Sequence, residues 1–194
     1  MTAPGDITLG ILAGGRATRL GGRDKAWLER EGIPQVLRWR QRFAHEVGAV
    51  LVSANRGLAR YAEAGLRAVP DRVGGELGPL AGLEALLAQC TTPWLLTLPV
   101  DLVGVNECLL PTLWAQRSPS GACAEDEDGP QPLVALWHVA TARPAVEAAI
   151  AAGDGAVHRL QARLDMARVR FAGVRFGNLN TPDDLRCAGI ADDD

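Results

Sequence analysis

Short, continuous apolar runs alternate along this chain with stretches of helical spacing. Ile7 to Leu12, Ala49 to Ser53, Ala68-Val69 and Trp94 to Leu98 each read as a buried strand. Runs of that kind belong to parallel strands covered on both faces. Between them the apolar spacing becomes three- and four-residue. Val36, Leu37, Trp39 and Phe43 predict a helix from about Pro34 to Glu46, with Trp39 and Phe43 turned to the core. Leu58 to Ala64 predicts a short helix stopped by Gly65. Pro79 is placed to start a helix through Leu80, Leu83, Leu86 and Leu87.

The same reading continues beyond Asp101. It predicts a helix over Val105 to Gln116 interrupted by Pro111, a strand at Gly121 to Ala124, and a solvated acidic turn at Glu125 to Gly129. A strand over Gln131 to Trp137, a helix over Ala142 to Ala152 and a shorter one through Val157 and Leu160 follow. Val169 to Phe176 reads as a last extended segment. Thr181 suits an N-cap and Pro182 the first position of a terminal helix. Strand–helix alternation of this period predicts an α/β protein: a three-layer α/β/α, Rossmann-like, mostly parallel sheet with an antiparallel edge.

At 194 residues the chain suits one domain, and a globule of that size buries roughly 70% of its unfolded surface. A net charge of −3 argues against a broad nucleic-acid surface but not against a local basic pocket. No apolar run approaches the roughly 20 residues of a membrane span, and the N-terminus lacks an export signal. Cys90, Cys108, Cys123 and Cys187 form neither a Cys-x-x-Cys pair nor a zinc pattern with a nearby histidine. Reduced thiols in a cytoplasmic protein are the expectation.

The candidate chemistry begins where the first strand ends. Leu12-Ala13-Gly14-Gly15 opens a segment through Gly21-Gly22 to Lys25, with Arg16, Arg19 and Arg23 inside it. Glycines let a ligand approach the main chain, consecutive N–H groups form an anion-binding concavity, and the cations suit a polyphosphate. The glycine spacing fits neither the dinucleotide fingerprint nor a Walker A loop. Asp71 and Asp101 each follow a predicted strand, on what would be the ligand-binding edge of an open sheet. A carboxylate at such a strand tip suits Mg²⁺ shared with phosphate oxygens.

Leu12-Ala13-Gly14-Gly15, Arg19, Gly21-Gly22 and Asp24-Lys25 resemble the signature of the nucleotidyltransferase superfamily with a glycosyltransferase-A-like, nucleotide-diphospho-sugar-transferase-like fold. Within it the pattern is most similar to the molybdenum cofactor guanylyltransferase family. Ala54-Asn55-Arg56, Gly78-Pro79-Leu80-Ala81-Gly82, Pro99-Val100-Asp101 and Asn178-Leu179-Asn180-Thr181-Pro182 follow in that family's order, so the resemblance spans nearly the whole chain.

The resemblance implies transfer of GMP from GTP to a molybdopterin-type molybdenum cofactor, with Mg²⁺ on Asp101. Lys25 and Arg19 would clamp the triphosphate, Leu12, Ala13, Gly14 and Gly15 would wall the nucleotide pocket, Asp71 would read the guanine base, and Asn180 would hold the acceptor phosphate or a metal-bound water. The three histidines, His45, His138 and His158, form no credible triad, which suits a phosphate nucleophile already ionised at neutral pH. One departure stands out: Ser53 occupies a strand end where that family commonly has asparagine.

The resemblance further implies one domain over 1–194, divided into a nucleotide-binding half at roughly 1–103, an acceptor-binding half at 104–190 and a flexible tail at 191–194. It suggests a cytoplasmic monomer with no nucleic-acid or membrane partner, and cofactor-insertion proteins or recipient molybdoenzymes as its protein partners. The rival readings are a cytidylyltransferase using CTP with the same pterin, a sugar-phosphate nucleotidyltransferase, and a non-catalytic nucleotide or pterin carrier.

Overall fold

The computed structural model describes residues 3–14, 24–74, 77–187 and 189–190. Its centre is β1 (Ile7–Leu12), flanked by β4 (Ala49–Ser53) and β6 (Trp94–Pro99), both parallel to it. β5 (Arg67–Val69) extends the parallel run beyond β4. On the other side β9 (Gly129–His138), β8 (Gly121–Asp126) and β10 (Ala167–Arg170) complete a seven-stranded sheet in the order β10-β8-β9-β6-β1-β4-β5.

Side chains alternate across this sheet and feed two separate cores. Ile7, Leu9 and Ile11 of β1 and Leu96 and Leu98 of β6 pack with α1 (Gln35–Arg42), α2 (Leu58–Glu63) and α4 (Leu109–Gln116). On the opposite face Leu51 and Leu95 meet α3 (Pro79–Gln89), α5 (Val139–Ala151) and α6 (Val157–Arg163). The period-2 alternation of strands thus produces the three layers directly. Gly10 is needed where α3 presses closest, because a Cβ there would lie 2.9 Å from both Leu86 Cδ1 and Leu95 Cδ1. One polar pair is buried in the sheet interior and satisfied: Trp137 Nε1 donates to Thr97 Oγ1 at 2.9 Å, and that hydroxyl donates to Ala135 O at 3.3 Å.

The α/β class and the mostly parallel sheet are as expected, whereas the antiparallel strand is not at the edge. β9 runs antiparallel to both β6 and β8 and lies between them, while the edge strand β10 is parallel to β8. The tight β8–β9 connection accounts for the direction of β9 relative to β8, since a hairpin makes its two strands antiparallel.

Four local expectations also change. Pro34 is not in the first helical turn: it caps α1 in an extended conformation and ends a small hairpin, β2 (Glu29–Arg30) with β3 (Ile33–Pro34). Glu31 and Gly32 both have positive φ, as a type I′ turn demands. α1 then stops at Arg42, short of Glu46, where the chain turns so that Gly48 N can donate to Ile7 O at 2.9 Å. α4 begins at Leu109 rather than Val105, because Pro111 fits a first turn but its ring would clash with a helix running farther back. The segment from Val169 is broken. β10 ends at Arg170, the chain reverses around Gly173 (φ +73°), and Phe171 and Phe176 meet edge-on at 5.8 Å. β11 (Gly177–Asn178) then pairs antiparallel with β7 (Leu102–Val103).

The acidic turn departs from expectation as well. Asp126 is buried at the end of β8, and its carboxylate accepts from Phe176 N at 2.7 Å, Asp128 N at 3.0 Å and Gln131 Nε2 at 3.2 Å. Burial pushes this carboxyl up, but the combined donors outweigh it and hold the group below its ordinary value. Its contribution to stability is therefore present above the usual Asp pKa of about 4 and is lost as pH falls through the lower folded value. Asp126→Asn is expected to cost about 2 kcal/mol at pH 7 and to flatten the acid limb. Urea midpoints of both proteins between pH 7 and pH 3 test this; parallel acid limbs would refute it.

Candidate active site

Because β1, β4, β5 and β6 are parallel, their carboxyl ends fall on one edge of the sheet, the edge where open α/β sheets bind ligands. The ladder continues just past the strands. Ala13 N donates to Ser53 O at 2.9 Å, Ala54 N to Val69 O at 3.0 Å and Val100 N to Leu12 O at 3.0 Å. Leu12, Ala13, Ser53, Asp71 and Asp101 are thereby tied to one frame.

Two groups of side chains stand on that frame. In the first, Lys25 Nζ donates to Asp101 Oδ2 and to Asn180 Oδ1, each at 2.7 Å. The Lys25 and Asp101 side chains are 20% and 18% exposed, buried enough to be held and open enough to meet a ligand. Each arm is fixed separately. Lys25 starts a 3-10 turn, Lys25–Trp27, capped by Asp24, whose carboxylate accepts from Ala26 N at 3.0 Å. Trp27 anchors this turn against Tyr61, with ring centroids 5.0 Å apart, and the Arg60 guanidinium lies 4.2 Å from the Trp27 ring centre. Burial raises the Tyr61 phenol pKa, with the nearby Asp24 charge adding to the effect, so the phenol itself stays neutral.

Asp101 is held through the backbone on either side. Trp39 Nε1 donates to Val100 O at 3.1 Å, and Asp101 O accepts from Leu179 N at 2.9 Å. Asn180 is set by the start of α7 (Pro182–Cys187). Thr181 Oγ1 accepts from Asp184 N at 3.2 Å, while Asp184 Oδ2 accepts from Thr181 N at 2.8 Å and Asn180 N at 3.0 Å. This is a capping box with aspartate in the third position. Those bonds, led by the Thr181 hydroxyl, hold the Asp184 carboxyl below its ordinary range, and the Lys25 charge adds to the effect.

The second group pairs Asp71 with Asn55. Asn55 Nδ2 donates to Asp71 Oδ2 at 2.8 Å, and Asp71 N donates to Asn55 Oδ1 at 2.9 Å, which fixes the plane of the carboxylate. Asp71 Oδ1 has no hydrogen-bond partner among the described residues. Gly14 stands beside this pair: a Cβ on it would lie 3.5 Å from Ser53 Oγ and 3.7 Å from Asn55 Nδ2. Ser53 itself is fully buried and its hydroxyl has no hydrogen-bond partner among the described residues. It occupies space left by Gly82, where an added Cβ would come within 2.6 Å of Ser53 Oγ.

The fold thus brings Lys25, Asp101 and Asn180 into contact and sets Leu12, Ala13, Gly14 and Asp71 along the same edge. Gly15 and Arg19 lie outside the described residues, as do Arg16, Gly21, Gly22, Arg23 and the tail at 191–194. Sequence reasoning missed Trp39 and Asp184 as supports. The Thr181–Asp184 spacing was a usable signal for the second; nothing local announced the first.

A family model described as a MobA-like NTP transferase domain matches residues 9–169. The molybdenum cofactor guanylyltransferase of Serratia proteamaculans is 38% identical over 185 residues, covering 92% of each chain. The enzyme of that name from Yersinia pseudotuberculosis is 34% identical over 182 residues, covering 92% of this chain and 93% of the relative. Among solved structures, molybdopterin-guanine dinucleotide biosynthesis protein A from Archaeoglobus fulgidus superposes with a TM-score of 0.65 at 20% identity, over 94% of this chain and 96% of that one. The 2-C-methyl-D-erythritol 4-phosphate cytidylyltransferase of Thermus thermophilus gives 0.66 at 16% identity, over 93% and 96%. At these identities the two structures bear on the fold alone.

Proposed function

This chain belongs to the MobA-like NTP transferase family, and from that premise we propose that it transfers GMP from GTP to the terminal phosphate of a molybdopterin-type molybdenum cofactor. The products are the guanine dinucleotide cofactor and pyrophosphate. The observation that carries this reading is the Lys25 ammonium bonded to both Asp101 and Asn180 at the carboxyl edge of the sheet.

An acceptor phosphate oxygen attacks the α-phosphorus in line, the new P–O bond forms, and pyrophosphate departs with the electrons of the bond that breaks. The acceptor is already ionised at neutral pH, so no strong general base is needed. The protein's work is positioning and charge stabilisation. Two of the three Lys25 donors are engaged, leaving one for a phosphate oxygen. Arg19 is assigned as the second clamp, and Gly14 and Gly15 bring the main chain close to the nucleotide. Asn180 offers its amide to the acceptor phosphate.

The donor set suits Mg²⁺ carried in on the nucleotide. No group of three or more His, Cys, Asp or Glu side chains suited to a metal occurs among the described residues, and Mg²⁺ is usually held by one or two carboxylates plus substrate phosphates. Asp101 is the carboxylate that would hold it, through an oxygen not bonded to Lys25. When bound, the ion supplies Lewis-acid charge neutralisation at the phosphates.

Base selection falls to Asp71. Its ionised carboxylate offers a ligand only acceptors, which matches the adjacent N1–H and amino donors of guanine. Cytosine presents an acceptor beside its amino group and leaves one oxygen opposed. Asn55 keeps that carboxylate in plane. Asn55→Ala is expected to raise the KM for GTP about tenfold and to narrow the GTP-over-CTP preference, with little change in kcat. Steady-state kinetics with both nucleotides measure it; an unchanged KM would remove Asn55 from the base pocket.

We assign residues 1–103 to the nucleotide and 104–190 to the acceptor, within one domain of a cytoplasmic monomer that hands its product to cofactor-insertion proteins or recipient molybdoenzymes. No helix among the described residues is long and apolar enough to cross a membrane. Pyrophosphate release with GTP or CTP, each with and without the pterin phosphate and across a Mg²⁺ titration, tests the whole reading. Faster release with CTP would overturn the guanine assignment. No release with either nucleotide would point to a carrier.

A further inference from the structure

A cavity of about 450 Å³ lies between α1, the β2–β3 hairpin and the chain from Leu102 to Val105. None of Lys25, Asp71, Asp101 and Asn180 lines it. Its polar lining is strongly cationic: Arg30, Arg38 and Arg42 face it, all half-buried, and no carboxylate does. Glu31 and Glu46 pair with Arg38 and Arg42, respectively, but neither lines the cavity. Gln35, only 3% exposed, lines the same cavity, and its Nε2 has no hydrogen-bond partner among the described residues. A buried amide donor left without an acceptor is costly unless a ligand supplies one. Apart from Gln41 the remaining wall is apolar and includes Trp39 and Val105.

We propose that this cavity is a second anion site, separate from the Lys25–Asp101–Asn180 centre, which takes an organic phosphate. The phosphate accepts from Gln35 Nε2 and the arginines, and the ligand's ring lies along Trp39 and Val105. Guanidinium forks match phosphate oxygens in geometry as well as charge. An unsatisfied amide donor lining the same cavity as three guanidinium groups, two of them ion-paired from outside it, favours an acceptor-rich tetrahedral anion over a neutral solute.

The test uses phenyl phosphate as the probe, with the full chain and isothermal titration calorimetry. The Lys25→Ala variant removes the clamp of the main site and is expected to keep the binding. Arg38→Ala is expected to weaken it at least tenfold. Gln35→Leu is expected to weaken it at least threefold without lowering the thermal midpoint, since the unsatisfied amide goes with it. Inorganic phosphate, which lacks the ring, is expected to bind more weakly than the probe. No saturable binding up to about 10 mM, binding abolished by Lys25→Ala, or equal affinity in wild type and Arg38→Ala would each overturn the proposal.

Discussion

Asp101→Asn is expected to lower Mg²⁺-supported GTP turnover by about 10³-fold, equivalent to roughly 4 kcal/mol of transition-state stabilisation. The fold is expected to survive. Asparagine has the same outline, its carbonyl oxygen can still accept from Lys25, and the backbone contacts from Leu179 N and next to Trp39 do not involve the side chain. What disappears is the anionic oxygen available to a divalent ion. The signature is therefore a rate that no longer responds to Mg²⁺ in the range where wild type does, with the thermal midpoint nearly unchanged. Wild-type activity of the variant at limiting Mg²⁺ would end the metal assignment.

Lys25→Ala is expected to reduce kcat/KM for GTP by about 10²- to 10³-fold, the usual consequence of deleting one preorganised donor to a developing oxyanion. Here the loss is compounded. Asp101 and Asn180 are both oriented by the same ammonium, so removing it frees two further groups. Both kcat and KM are expected to worsen, which separates this variant from Asn55→Ala. Lys25→Arg is not expected to restore the rate, because a planar fork cannot place its donors where a compact ammonium does. Normal GTP kinetics in Lys25→Ala would dismiss the clamp.

Much of this was legible in the residues because local and global preferences agree. The continuous apolar runs of β1, β4 and β6 have no other economical placement than a doubly covered sheet, and parallel strands bring Ser53, Asp71 and Asp101 to one edge without further information. The position of β9 was not legible, since hairpin formation fixes direction but says nothing about which neighbour a strand inserts beside. The burial of Asp126 was hidden for a similar reason. Four consecutive acidic residues, Glu125 to Asp128, read as a wet turn until Phe176 arrives from fifty residues away with its N–H. Ser53 was visible as a departure, but only the close approach of Gly82 explains why a small side chain is tolerated there.

The Lys25–Asn180 contact joins positions 155 residues apart. During synthesis on a ribosome, the strand tips carrying Asp71 and Asp101 can assemble well before Asn180 has emerged. The ammonium would meet its second anchor only after Asn180 has left the exit tunnel, so the two bonds of this contact are made in sequence, carboxylate first and amide second.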